Sequence, residues 1–283
     1  MLVLAFLAQT FRIAVPYLFA SAGGVVSERV GLIALTLEGY MLGGAFCAVV
    51  ATEATGSPWI GVLAGMAGGA LLALLYAVSS VRFKANQVII GVALNLLVIG
   101  LTRFFLRLLF DSSSNSPRVE GFVVEQSGSG FAALAQNPLV WLGVLAVLAM
   151  GWMLYRTVFG LRIRAVGEHP QAAASVGIPV DRVRYLAAAL SGAVAALGGV
   201  YLALDQHQFT DGMTAGRGFI ALAAVIFGRW DPKRVALACL LFAAAETFQI
   251  QLQGSQVIPS QFVEMIPYVL TIIALATVVG RAS

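Results

Sequence analysis

The chain has 283 residues, 60% of them hydrophobic and 11% charged, with a net charge of +4. Soluble domains carry roughly 25% charged residues, so a water-soluble globule is excluded and the bilayer is the natural solvent. The positive balance does not mark a nucleic-acid binder, because no basic run is interleaved with aromatics. Cys47 and Cys239 both lie in apolar runs and make neither a disulfide framework nor a metal site.

In chain order, residues 2–22 form the first expected span, with Pro16 as a kink. Ala20-Ser21-Ala22 looks like a cleavage site. No basic region precedes it, however, and Arg12 interrupts the apolar run, so the span is expected to be retained. A re-entrant turn near Gly23-Gly24 is an alternative path for the chain. Residues 31–51 form the second span, with one charge, Glu38. Residues 58–81 form the third. Its Gly61, Gly65 and Gly69 lie four apart on one face, a pattern that allows close helix packing.

Residues 87–110 form the fourth span, carrying Asn95 within it and Arg103 and Arg107 near its far end. A polar loop follows at 111–137, then a fifth span at 138–155. Residues 160–184 are the longest polar, basic segment in the chain. They have the marks of a folded platform. Pro170 suits the first position of a helix, residues 171–175 are Ala-rich, Gly177 can close that helix, and Pro179 stops its continuation. Asp181, Arg182 and Arg184 then lead into a sixth span at 185–204.

Residues 205–216 form a polar loop. Residues 218–227 are apolar but too short to cross unaided, which suggests a half-span or broken helix of the kind that lies beside substrate paths in transporters. Further spans are expected at 235–250, with Glu246 and Gln249 near its end, and at 262–280. The expectation is a single all-α integral membrane domain over residues 1–283, a polytopic bundle of about nine transmembrane helices (8–10). Arg and Lys crowd one set of alternating loops. Arg29, Arg82, Lys84, Arg156, Arg162, Arg164, Arg182, Arg184, Arg229, Lys233, Arg234 and Arg281 belong to it. The other set holds only Arg118 and Arg217 clearly in loops. The positive-inside rule places the first set, and with it the platform, in the cytoplasm.

Sequence motifs that carry chemistry are absent. No G-x-x-x-x-G-K-[ST] occurs, so ATP is not bound by a P-loop. There is no H-E-x-x-H, C-x-x-C or G-x-S-x-G, and no catalytic, metal or cofactor motif. The chain is therefore not read as an enzyme. Polar groups within spans are the remaining candidates. Glu38 sits mid-span and either serves the solute pathway or bonds between helices, with Arg12 or another cation as its partner. Asn95 either meets a polar solute or joins helices. Arg103 and Arg107 are expected to snorkel to the outer interface. Glu246 and Gln249 either line an entrance or are solvated. In the platform, Glu168 is either a solvated acid at a helix start or a contact to a partner protein. His169 belongs to the platform and His207 to a solvated loop.

Four stretches carry a resemblance. They are Ser27-Glu28-Arg29-x-Gly31 leading to Leu37-Glu38-Gly39-x-Met41-Leu42-x-Gly44; Val166-Gly167-Glu168-x-Pro170 with Ala172-Ala173-x-x-x-Gly177-Ile178; Gly216-Arg217-Gly218-Phe219-Ile220-Ala221; and Ile226-Phe227-Gly228-x-Trp230-x-Pro232. In that order they resemble permease subunits of bacterial ABC importers, the branched-chain amino acid and simple-sugar family, nucleoside-type. The resemblance implies a multi-pass protein of the bacterial inner membrane. The platform at 160–184 would then be a cytoplasmic coupling helix seated in an ATP-binding cassette ATPase through Glu168, Pro170, Ala172, Ala173 and Gly177. It also implies a second permease subunit, related or identical, and an extracytoplasmic substrate-binding lipoprotein. The solute it implies is a small polar compound, a nucleoside or simple sugar first, and the polar residues Glu38, Asn95 and Glu246 within the spans are the candidates for its pathway. Nucleoside-type members often carry Asn where this chain has Ala34. The competing readings are an ion-coupled secondary transporter using Glu38 and Glu246, and a non-transporting membrane scaffold.

Overall fold

The computed structural model describes residues 2–122 and 136–253. The span expected at 262–280 lies outside the described residues. The first helix, α1, covers Leu2–Arg29 and contains Pro16. It does not stop at residue 22: Gly23 and Gly24 are both helical. A side chain at Gly23 would run into Ser191 and Ala195 of a later helix, and one at Gly24 into Leu37 and Val225. Close backbone packing thus replaces the re-entrant turn that the glycine pair suggested.

The second helix, α2, covers Leu37–Thr55. Residues 31–36, expected to begin that span, are instead a non-helical strap of turns and irregular backbone. Next come α3, Pro58–Ala77, finished by a π-turn at Val78–Arg82, and α4, Gln87–Phe110. Then α5, Pro138–Arg156, leads directly into the platform helices α6, Val158–Glu168, and α7, Pro170–Ser175. The long α8, Val180–Asp205, re-enters the bundle. The short α9, Arg217–Phe227, has only 11 residues. Finally α10 covers Pro232–Gln253. Six of these helices, α1, α3, α4, α5, α8 and α10, are long and apolar enough to cross a membrane.

The centre of the bundle is made by α1, α2, α3 and α8. Their sequence makes close approach possible through small residues, which is how helices associate where lipid offers no hydrophobic drive. A Cβ on Gly65 would meet the Gly44 carbonyl, one on Gly69 would meet Gly192, and one on Gly44 would meet Ala196. The glycine face of α3 therefore packs as its spacing predicts, against α2 and α8. A second bond locks the same layer: the Ser191 hydroxyl donates to the Gly23 carbonyl at 2.7 Å. On one flank α4 covers α2. On the other, α5, α9 and α10 cover α1.

The basic ends of α1, α5 and α8 gather at one end of the bundle with the platform. At the opposite end, the loop after α4 clips onto the loop before α9. Ser116 N–H donates to the Phe209 carbonyl at 2.9 Å and Val119 N–H to that of His207 at 2.8 Å. Arg12 pairs with Asp205 at 2.8 Å, and Arg103 with Asp211 at 2.8 Å. Arg103 thus extends to a carboxylate of the loop at that end, and Arg12 is not the partner of Glu38. His207 is exposed, as expected of its loop, and its Nδ1 lies 3.3 Å from the Val119 carbonyl oxygen.

Candidate functional site

The shortest helix of the bundle proper starts deep within it. Its 11 residues span about 16 Å and end at the basic face, so the N-terminus of α9 lies near mid-membrane. A helix start there exposes unpaired N–H groups in a medium that offers them no water. Glu38 supplies the missing acceptor. Its Oε2 accepts from Gly218 N–H at 2.7 Å, and its Oε1 accepts from Gly216 N–H at 2.9 Å and from the Thr214 hydroxyl at 2.6 Å. The carboxylate is 7% exposed. A negative group at the positive end of a helix is favoured by the dipole, and its bonds are charge-assisted. Gly216 takes a left-handed conformation, φ 81°, in turning the chain into α9. Gly218 lies flat on the Glu38 backbone, where a Cβ would come within 2.8 Å of Oε2.

The start of α2 is held by the same logic. The non-helical strap 31–36 would leave its peptide groups bare, and side chains from other elements satisfy them. Gln87 accepts from Ile33 N–H at 2.8 Å, and Tyr76 donates to the Ile33 carbonyl at 2.8 Å. Glu28 Oε1 accepts from Ala34 N–H at 2.9 Å, and Ser27 donates to the Leu32 carbonyl at 3.0 Å. Asn95 completes the set. Its Oδ1 accepts from Gly39 N–H at 2.9 Å, and its Nδ2 donates to the Leu35 carbonyl at 2.8 Å. Non-helical backbone at this depth is tolerated only where protein covers it in this way. Ala34 is 1% exposed and lies under α1 beside Gly24.

Glu246 of α10 is neither free nor simply solvated. Its Oε1 accepts from Arg217 at 3.0 Å, and its Oε2 accepts from the Tyr17 hydroxyl. Arg217 is the first residue of α9, so this cation belongs at mid-membrane and not to an outer loop. The structure therefore gathers Glu38, Asn95 and Glu246 around two interrupted helix starts. Each carboxylate that ion-coupled transport would need already holds protein donors.

The platform forms a second junction. Thr157 caps α6, accepting from Gly160 N–H at 3.1 Å. Residues 160–168, expected only as part of the polar segment, are helical because one face of α6 buries Gly160, Ile163 and Val166. Pro170 is the first residue of α7, and the His169 imidazole caps it, Nδ1 accepting from Ala172 N–H at 3.1 Å. At the other end Gly177, φ 83°, closes the helix, its N–H and that of Ile178 returning to the Ala174 and Ala173 carbonyls. Glu168, Ala172 and Gly177 are exposed, and Pro170 is half-buried. Ala173 is 4% exposed and belongs to the apolar cluster that also holds Ile163, Val166 and Val183, so its side chain faces the permease and not outward.

What ties the platform to the bundle is the turn after α1. A Cβ on Gly167 would strike the Arg29 carbonyl. Arg29 in turn donates to the Trp230 carbonyl at 3.2 Å, and the Trp230 indole donates to Glu28 Oε2 at 3.3 Å. Arg229 and Trp230 both take positive φ, 51° and 57°, a conformation that bulky residues avoid unless held. Thus Ser27-Glu28-Arg29, Val166-Gly167-Glu168 and Gly228-x-Trp230 converge at the basic end, while Leu37-Glu38-Gly39 and Gly216-Arg217-Gly218 converge at mid-membrane. The bonding roles of Glu28, Trp230, Tyr17 and Thr214 were not legible in the sequence, where only the recurrence of the first two in motifs pointed to them. Among the described residues no group of three or more His, Cys, Asp or Glu side chains is placed to hold a metal ion.

The described helices make a membrane bundle with interrupted helices and a capped basic platform. The chain belongs to the family described as branched-chain amino acid transport system / permease component, whose pattern matches residues 6–275. It is 38% identical over 291 residues to the guanosine ABC transporter permease protein NupQ of Bacillus subtilis, covering 96% of this chain and 91% of that one. It is 37% identical to the nucleoside ABC transporter permease protein NupC of Lactococcus lactis subsp. cremoris, over 94% of this chain and 90% of the relative. In fold it matches a solved ABC transporter of metal-chelate type in an inward-facing conformation. The TM-score is 0.55 at 13% identity, with 95% of this chain and 85% of the other covered. The chain is thus a multi-pass permease of the inner membrane and not a catalytic subunit.

Proposed function

We propose that this permease moves a nucleoside, or failing that a simple sugar, into the cytoplasm, driven by a separate ATP-binding cassette ATPase and supplied by an extracytoplasmic binding lipoprotein. A second permease subunit, related or identical, completes the pathway. The observation that carries the reading is the platform: a short helix capped at both ends, with Glu168 exposed and without a partner among the described residues. Rigid contact is what coupling requires, because a nucleotide can shift the transporter between states only through contacts that differ between them. The similarity to NupQ and NupC supports the nucleoside.

In this reading the basic end is cytoplasmic, and α7 with Glu168 docks in the ATPase. Motion of the platform passes through Gly167 and Arg29 to Trp230, and so to the lower end of α9. Glu38, Asn95 and Glu246 frame the pathway by fixing the two helix starts beside it. The test is reconstitution of the complex in liposomes. Guanosine uptake that needs ATP inside and the binding protein outside is expected. Uptake by this chain alone under an ion gradient would refute the proposal.

A further inference from the structure

We infer that Arg217 and Glu246, with Tyr17 behind them, form a polar station on the translocation pathway that takes a neutral solute bearing vicinal hydroxyls. The inference rests on the permease reading and adds to it a place and a chemistry of recognition. Depth comes first. Arg217 opens a helix that reaches the basic end about 15 Å later, and Glu246 lies about 21 Å along α10 from Pro232, at 1.5 Å per residue. The hydrocarbon core is about 30 Å thick, so the pair sits near its middle.

Exposure comes second. The Arg217 side chain is 24% exposed and that of Glu246 17%. Ionised groups open to the surface at this depth face water or a protein partner and not lipid.

Unused bonding capacity comes third. Arg217 donates from Nη1 to the Met213 carbonyl at 3.3 Å and from Nη2 to Glu246 at 3.0 Å. A guanidinium has five N–H donors, so donors remain. Each Glu246 oxygen accepts one bond, from Arg217 or from Tyr17, and each has a second lone pair. A carboxylate beside a guanidinium can accept from one hydroxyl while the guanidinium donates to its neighbour. An anionic solute would meet Glu246 and a cationic one Arg217, so the pair selects against both.

The experiment uses the assembled transporter in membrane vesicles. Gln249, one turn beyond Glu246 on α10 and half-buried, is replaced by Cys and exposed to a membrane-impermeant thiol reagent. Labelling above the background from Cys47 is expected, and no labelling overturns the station whatever the solute. Uptake of guanosine and of 2′,3′-dideoxyguanosine is then compared. Arg217→Lys and Glu246→Gln are each expected to raise KM for guanosine about tenfold, the loss of one charge-assisted bond, and to abolish the preference over the dideoxy compound. The double variant Arg217→Met with Glu246→Met removes both charges together and leaves neither group unpaired. If it takes up guanosine with the wild-type KM and keeps the preference over the dideoxy compound, the pair does not bind the solute and the inference fails. If Gln249→Cys is labelled but the wild type takes up neither guanosine nor glucose, the solute in the proposed function fails, and the hydroxyl chemistry of the station with it.

Discussion

The carboxylate of Glu38 and the backbone N–H of Gly218 meet at 2.7 Å although 180 residues separate them in the chain. This contact joins the start of α2 to the start of α9 at mid-membrane, and it makes Glu38 the support of a half-helix. Replacement by Ala strands the two backbone donors and the Thr214 hydroxyl, at about 1–3 kcal/mol for each. Glu38→Ala is expected to insert poorly and to melt far below the wild type in detergent. Glu38→Gln keeps the volume but puts an NH2 group among donors, and should fall between them. A thermal melt of the three purified proteins checks the order.

Asn95 bridges the strap and α2 with both ends of its amide. Asn95→Asp keeps the acceptor for Gly39 N–H but sets a carboxylate against the Leu35 carbonyl. It is expected to be more destabilising than Asn95→Ala, because an unpaired charge in this setting costs more than a missing bond. The reverse order in a thermal melt would show that the Leu35 contact contributes little.

Gly167 touches the Arg29 carbonyl with no room for a Cβ, whereas Gly177 has open space around it and only its φ of 83° to constrain it. Gly167→Ala must displace the platform from α1. Gly177→Ala costs about 1 kcal/mol of backbone strain and leaves the docking geometry nearly intact. In the reconstituted complex Gly167→Ala is expected to abolish transport-coupled ATPase stimulation while the protein still inserts. Gly177→Ala should reduce it less.

Glu168 and Ala173 lie five residues apart and face opposite ways, the first exposed and the second 4% exposed. Glu168→Ala should leave the melting temperature unchanged, as surface substitutions generally do within about 0.5 kcal/mol, and lower ATPase stimulation. Ala173→Leu overpacks a filled site and is expected to cost about 1–3 kcal/mol. Equal stimulation by wild type and Glu168→Ala would remove Glu168 from the docking surface.

Local chemistry made much of this protein legible in its sequence. Apolar run lengths marked most of the membrane helices, and Pro170 and Gly177 bounded α7 because a missing N–H and a left-handed residue act where they stand. The 11 residues of α9 were too few to cross, so its half-helix could be read from length alone. Where the sequence misled, partners distant in the chain decided. Gly23-Gly24 stayed helical because α8, α2 and α9 pack on it. Residues 31–36 left the helix because Glu28, Tyr76, Gln87 and Asn95 supply the bonds that a helix would otherwise have made. By itself, then, the sequence determined the solvent, most of the helices and the basic end, all set by composition and short-range geometry. Which polar side chains cap which helix starts, and which remain open at mid-membrane, only the tertiary structure decided, because a buried polar group takes whichever complementary atom the packing brings within 3 Å.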